Sequence, residues 1–183
     1  AREEDMPAFE HHGADTLPVF VEGGATIRLI MGSAYGHTAP TTMLSPTVYF
    51  HAEMKPGSAL TLPEGQDEIG VYAVSGDAQL GDTALEAGRL GVIEGGTARL
   101  SSKAGARVMV LGGAVLGKRF IEWNFVSSSK ERLEQAKADW RASAAGGWTG
   151  TPFTLPPGEN EYIPLPGDDL PEPPAPSKDC PTT

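Results

Sequence analysis

Apolar and polar residues alternate with a period of two along most of the first 125 positions. Residues 47–54 show it most clearly. Val48, Phe50, Ala52 and Met54 fall on one face, and Tyr49, His51 and Glu53 on the other. The same alternation predicts strands near 26–31, 47–54, 59–62, 69–75, 78–80, 90–93, 97–101, 107–112 and 119–125. Turn chemistry separates them. Ser75-Gly76-Asp77 and Leu80-Gly81-Asp82 pair a glycine tolerant of positive φ with an aspartate that bonds its own backbone. Many short strands with frequent turns predict an all-β sandwich or barrel. The period changes at Ser128. Leu133, Ala136 and Trp140 recur at i, i+3 and i+7, the spacing of one helix face. Ser128 followed three residues later by Glu131 has the spacing of a capping box. In the strand before that helix, period two puts Ile121, Trp123 and Phe125 on one side.

Composition bounds this picture. The chain has 183 residues, enough for one domain with a buried core plus tails. Its net charge of −10 belongs mainly to its ends. Residues 1–20 hold five acids and one Arg, and residues 158–183 hold six acids and one Lys. An acidic chain without a basic patch is a poor direct binder of nucleic acid, which is held through Lys and Arg at phosphates. No apolar run approaches the ~20 residues of a membrane span. The opening AREEDMPAFEHHG lacks the apolar core of a signal peptide and an initiator Met, so a cytoplasmic fragment or processed product is expected. The lone Cys180 cannot form an intramolecular disulfide, in keeping with a reducing compartment. Ten of sixteen prolines lie in the last 32 residues, so an extended, acidic, Pro-rich tail is expected over 146–183. Within it, Tyr162-Ile163-Pro164-Leu165-Pro166 is apolar enough to dock on a neighbour.

An ordered set of segments resembles a known family. Thr26-Ile27-Arg28-Leu29-Ile30-Met31-Gly32, then Gly36, Pro40 and Ser45-Pro46-Thr47-Val48-Tyr49, resemble the entry to the second cupin domain of the pirins. Lys55-Pro56-Gly57 through Gly76 has the layout of a first cupin motif, and Glu86-Ala87-Gly88-Arg89-Leu90 that of the start of a second. The passage FIEWNFVSSSKERLEQAKADWR at 120–141 is similar to the segment that closes that domain. The resemblance implies an RmlC-like jelly-roll cupin barrel over 25–145 with one C-terminal helix, and an inter-domain linker over 1–24. Pirins are bicupins, some similar to quercetin 2,3-dioxygenases with iron in the first domain, others iron-dependent transcription co-regulators that bind proteins.

In a metal-binding cupin the two motifs supply His-x-His, then Glu and His, and imidazole with carboxylate suits iron and its neighbours. Aligned on the pirin metal domain, those positions hold Leu62 and Glu64, then Ser101 and Lys103. This set does not make a divalent iron site. The resemblance therefore implies no catalytic residue, metal ligand or cofactor in this chain, with iron or another divalent metal in an N-terminal cupin domain that would be its partner.

Five residues remain as cleft or ligand candidates. His51 and Glu53 form a His-x-Glu pair, but alternation turns both away from the apolar face. His37 falls in a loop that fits a barrel mouth. Glu64 lies in an acidic turn with Asp67 and Glu68, and Glu68 aligns with a metal-domain Glu. His11-His12 lacks a third ligand nearby. Ser127-Ser128-Ser129 reads as a helix cap, and Trp140 and Trp148 as packing anchors. Three functions stay open: a metal-free second lobe, a stand-alone small-molecule-binding or dioxygenase-like cupin, and a protein-interaction module.

Overall fold

A computed structural model of the chain describes Glu3, Asp5 and residues 8–168. Cys180 and the Pro171–Pro176 run therefore lie outside the described residues. The chain divides into two compact units, Ala1–Val115 and Leu116–Thr183.

The first unit is built from two antiparallel sheets. Period-two alternation forms each strand because burying one face outweighs its entropy cost only when apolar residues recur on that face. The larger sheet contains β1 (Val19–Glu22), β2 (Ala25–Met31), β5 (Thr47–Met54), β7 (Glu68–Gly76), β10 (Leu90–Glu94) and β12 (Ala106–Gly113), in the order β1-β2-β5-β12-β7-β10. The smaller contains β6 (Ala59–Thr61), β8 (Ala78–Leu80), β9 (Thr83–Leu85) and β11 (Arg99–Ser101), in the order β6-β11-β8-β9. A short hairpin joins β3 (Ser33–Ala34) to β4 (His37–Thr38). Its two turn residues, Tyr35 and Gly36, both take positive φ, 52° and 78°, as a type I′ turn requires. The strands predicted from alternation between residues 26 and 112 are present. Missed were β1, β3, β4 and β9, each of two to four residues and too short for a period to register. Within the segment read as a linker, β1 pairs along β2 from Val19↔Arg28 to Glu22↔Ala25.

The core lies between the sheets. Ile27, Leu29, Val48, Phe50, Val71, Leu100, Val108 and Val110 are fully buried there. Each such side chain is worth roughly 1.5–3 kcal/mol of burial. Gly32 permits a close approach at the edge of this core. At φ 80°, a Cβ there would stand 1.9 Å from the Thr47 carbonyl oxygen.

The second unit contains β13 (Phe120–Glu122), β14 (Phe125–Ser127) and the helix α1 (Lys130–Ala145). Here two expectations are corrected. The single strand over 119–125 is a hairpin, because Trp123 takes a φ of 54° and the chain reverses at Trp123-Asn124. Ile121 then pairs with Val126 and is exposed, while the Trp123 ring packs edge-on to Phe125 at 5.5 Å and Trp140 at 5.4 Å. Packing of three rings outweighs the local alternation. The helix cap is Ser129 instead of Ser128. Ser129 Oγ accepts the Arg132 amide at 3.3 Å and donates to Glu131 Oε2 at 2.6 Å, and Glu131 sits in the first turn.

The face of α1 holding Leu133, Ala136 and Trp140 turns inward as the spacing predicts, with Leu133 buried. The apolar segment 162–166 docks on this helix. Trp140 Nε1 donates to the Ile163 carbonyl, Leu165 is buried, and Arg141 makes a two-pronged pair with Asp168 at 2.7 and 2.9 Å. Trp148 packs edge-on to Trp140 and tilted against Tyr162, with ring centroids 4.9 Å apart in each pair, so both tryptophans serve as packing anchors.

Candidate functional site

The barrel interior is the first place to seek chemistry, since a cupin metal sits there. In this chain it is lined by buried apolar side chains. Leu62, at a position where a metal-binding cupin needs histidine, is buried in the core. Glu64 and Lys103 are exposed, and Ser101 is half-buried on β11 opposite Ala59. Among the described residues no group of three or more His, Cys, Asp or Glu side chains could hold a metal ion. A leucine, a hydroxyl and an ammonium offer no fitting donor set for iron, so the residues present do not fit one.

The five candidates fall in three separate places. His37 and Glu64 come together at an open cleft of about 670 Å³, also lined by Glu22, Ser33, Tyr35 and Thr38. The His37 ring stacks on Phe20 at 3.9 Å and 9°. Tyr35 donates its phenolic proton to the Thr61 carbonyl, and burial, helped by the charge of Glu22, pushes that phenol above its ordinary range. Among the described residues no Lys or Arg lines this cleft. His11 and His12 precede β1 in irregular chain, with His12 Nε2 3.4 Å from Glu10 Oε2.

His51 and Glu53 lie on the outer face of the six-stranded sheet, as alternation predicts. Glu53 Oε1 binds His51 Nε2 at 3.2 Å and the Arg107 guanidinium at 2.6 Å. Both contacts lie on the surface of the sheet, away from the core.

Glu68 lies at the start of β7, exposed, opposite Gly113 on β12 and Glu94 on β10. It borders a hollow of about 370 Å³ floored by Gly70 and walled by Leu90, Val92 and Leu111. This hollow belongs to an apolar block that sequence reading missed. Tyr72, Val74, Leu90, Val92 and Leu111 are 40–58% exposed on one sheet face. Cross-strand register makes the block continuous, through Met109↔Tyr72↔Leu90 and Leu111↔Gly70↔Val92. A signal was present. Residues 69–74, Ile-Gly-Val-Tyr-Ala-Val, and 90–93, Leu-Gly-Val-Ile, are apolar at nearly every position, the pattern of strands covered on both faces.

With these features in place, known proteins give the frame. The pirin C-terminal cupin domain family matches residues 49–146. The chain belongs to the pirin family. This pirin chain is 40% identical to a pirin-like protein of Caulobacter vibrioides, over 90% of this chain and 55% of that protein. It is 32% identical to a Pseudomonas aeruginosa protein provisionally named a quercetin 2,3-dioxygenase, over 76% of this chain and 45% of that one. A crystal structure of quercetin 2,3-dioxygenase from Acinetobacter baumannii superposes with a TM-score of 0.69 at 23% identity, over 85% of this chain and 51% of that one. That likeness shows the fold: a cupin jelly roll with one helix. The chain spans about half the length of the curated relatives it matches. No helix among the described residues is long and apolar enough to cross a membrane.

Proposed function

We propose that this pirin chain acts as the metal-free lobe of a two-cupin, quercetin 2,3-dioxygenase-like protein. It packs against a metal-bearing cupin lobe and walls one side of the cleft between them. One observation carries the reading: the block Tyr72, Val74, Leu90, Val92 and Leu111 stands exposed on the outer face of a sheet whose inner face is already covered by the core. A continuous apolar outer face marks a surface meant to be covered. The length of the relatives, about twice the part matched here, supports a second lobe as the cover.

The test combines metal content with complementation. The purified chain, incubated with iron, nickel, copper and zinc, is expected to retain below roughly a tenth of a metal per chain. On its own it should consume quercetin no faster than buffer with iron. Addition of the half of the Caulobacter relative that this chain does not cover should shift sedimentation to that of a one-to-one complex. Near one tightly held metal per chain, or chelator-sensitive quercetin loss by the chain alone, would overturn the reading in favour of a stand-alone enzyme.

A further inference from the structure

The apolar block has a distinctive position, Gly70, in its end row between Leu111 and Val92. This glycine is the third residue of the nine-residue β7, inside the strand, where glycine weakens it. Its backbone does not explain it, since Gly70 is absent from the residues with positive φ. Internal crowding does not explain it either. A Cβ at Gly70 would meet one atom closer than 3.5 Å, the Leu90 Cδ1 at 3.3 Å, the far end of a flexible exposed side chain. The missing side chain leaves instead the hollow floored by Gly70 and walled by Leu90, Val92 and Leu111. A glycine inside a strand with neither a conformational nor an internal packing reason marks a place where something outside the sheet approaches closely.

The rim of the hollow carries a second anomaly. Glu68 and Glu94 are direct cross-strand partners, both exposed, so two carboxylates share one face at one end of the hollow. Like charges directly opposite on an antiparallel pair are destabilising. A cation placed over them from outside would reverse that cost.

We infer that the Gly70 hollow is a socket for one large apolar side chain of the opposite cupin lobe, with a Lys or Arg of that lobe seated over Glu68 and Glu94. This inference rests on the two-lobe reading above and supplies the chemistry of its contact. The knob fills the space over Gly70 between Leu90, Val92 and Leu111, in the row of the apolar block next to the acidic rim, where an enclosed apolar side chain acts as an anchor. The acidic pair at the rim sets which way the partner lies and speeds the encounter, as rim charges do. Glu68 thus serves partner choice instead of metal binding.

The probe is again the half of the Caulobacter relative that this chain does not cover, titrated into the chain by calorimetry at low and high salt. Two variants separate the questions. Gly70→Leu fills the socket, and its circular dichroism and melting profile report whether the sheet is retained. Glu68→Lys/Glu94→Lys reverses the rim on exposed side chains with no core consequence. The socket predicts that Gly70→Leu weakens association at least roughly 30-fold, as for loss of a buried anchor. The double reversal should weaken it roughly tenfold at low salt and little at high salt, since rim charges are screened. If the unaltered chain associates and both variants associate equally well, the socket is wrong and the two-lobe reading stands. If the unaltered chain does not associate, the two-lobe reading falls and takes the socket with it.

Discussion

Tyr35 donates its phenolic proton to the Thr61 carbonyl oxygen at 2.7 Å, tying the β3–β4 turn to β6 across 26 residues of sequence. The two groups are distant in the chain, and the bond spans the cleft that also holds His37 and Glu64.

That bond makes alkaline stability a direct readout. Burial raises the Tyr35 phenol above its ordinary value, with the Glu22 charge adding to the shift. The folded state therefore holds this proton at a pH where the unfolded chain releases it. The stabilising contribution is complete below the unfolded value of about 10 and is lost as pH rises from there through the raised folded value. Tyr35→Phe should lower stability near neutrality by about 1 kcal/mol. It should also flatten the fall in melting temperature between about pH 9 and 11, measured by calorimetry. An unchanged alkaline slope in the variant would refute the assignment.

The pair Arg141–Asp168 governs acid behaviour at the other end of the chain. The Arg141 guanidinium holds the Asp168 carboxyl below its ordinary value. The bridge is present above the unfolded carboxyl range and is lost as pH falls through the depressed folded value. Trp140 and Trp148 report it, since Tyr162 and Ile163 contact them beside the bridge. Tryptophan emission should shift on acidification. In Asp168→Asn the emission at neutral pH should already resemble the acid form, and high salt should move the unaltered chain toward it because both partners face solvent.

Ser129 caps α1, so Ser129→Ala should cost about 1 kcal/mol, and Ser129→Asp should restore most of it by accepting the same amide at the positive end of the helix. Urea unfolding followed by helix ellipticity measures both. Equal stability of Ser129→Ala and the parent would move the cap elsewhere.

Gly32→Ala should be far more damaging than a surface change. Its φ of 80° disfavours any side chain, and the new methyl would meet the Thr47 carbonyl oxygen 1.9 Å away. A loss of roughly 2–4 kcal/mol is expected in denaturant unfolding. Gly36→Ala is the matched control. It shares the left-handed φ of 78° but meets nothing within 4 Å, so only the smaller conformational cost should appear.

Much of the fold was legible because local burial pattern and strand geometry share one period. Val48, Phe50, Ala52 and Met54 announced their inward face, and His51 and Glu53 their outward one, before any partner strand was known. The family followed from the order of turns and strands. The helix was equally plain, since Leu133, Ala136 and Trp140 need only a local 3.6-residue repeat to share a face.

The misses have a common cause. Trp123 reverses the chain because its ring gains Phe125 and Trp140, and Trp140 lies 17 residues away. Strands of two to four residues such as β3 and β4 carry too few positions for a period, and the turn chemistry of Tyr35-Gly36 is completed only by the bond to Thr61. The candidate residues were named singly, and sequence could not sort them into sites. Register alone placed Glu68 opposite Glu94 and Gly70 between Leu111 and Val92. The sequence by itself determined which residues are apolar, how they repeat and hence which elements form, because those are properties of neighbours along the chain. Which distant residues meet, and therefore where a socket, a cleft or a charged pair exists, was decided by strand pairing across the sheet, where the closure of long loops brings together groups whose separation in sequence carries no local signal.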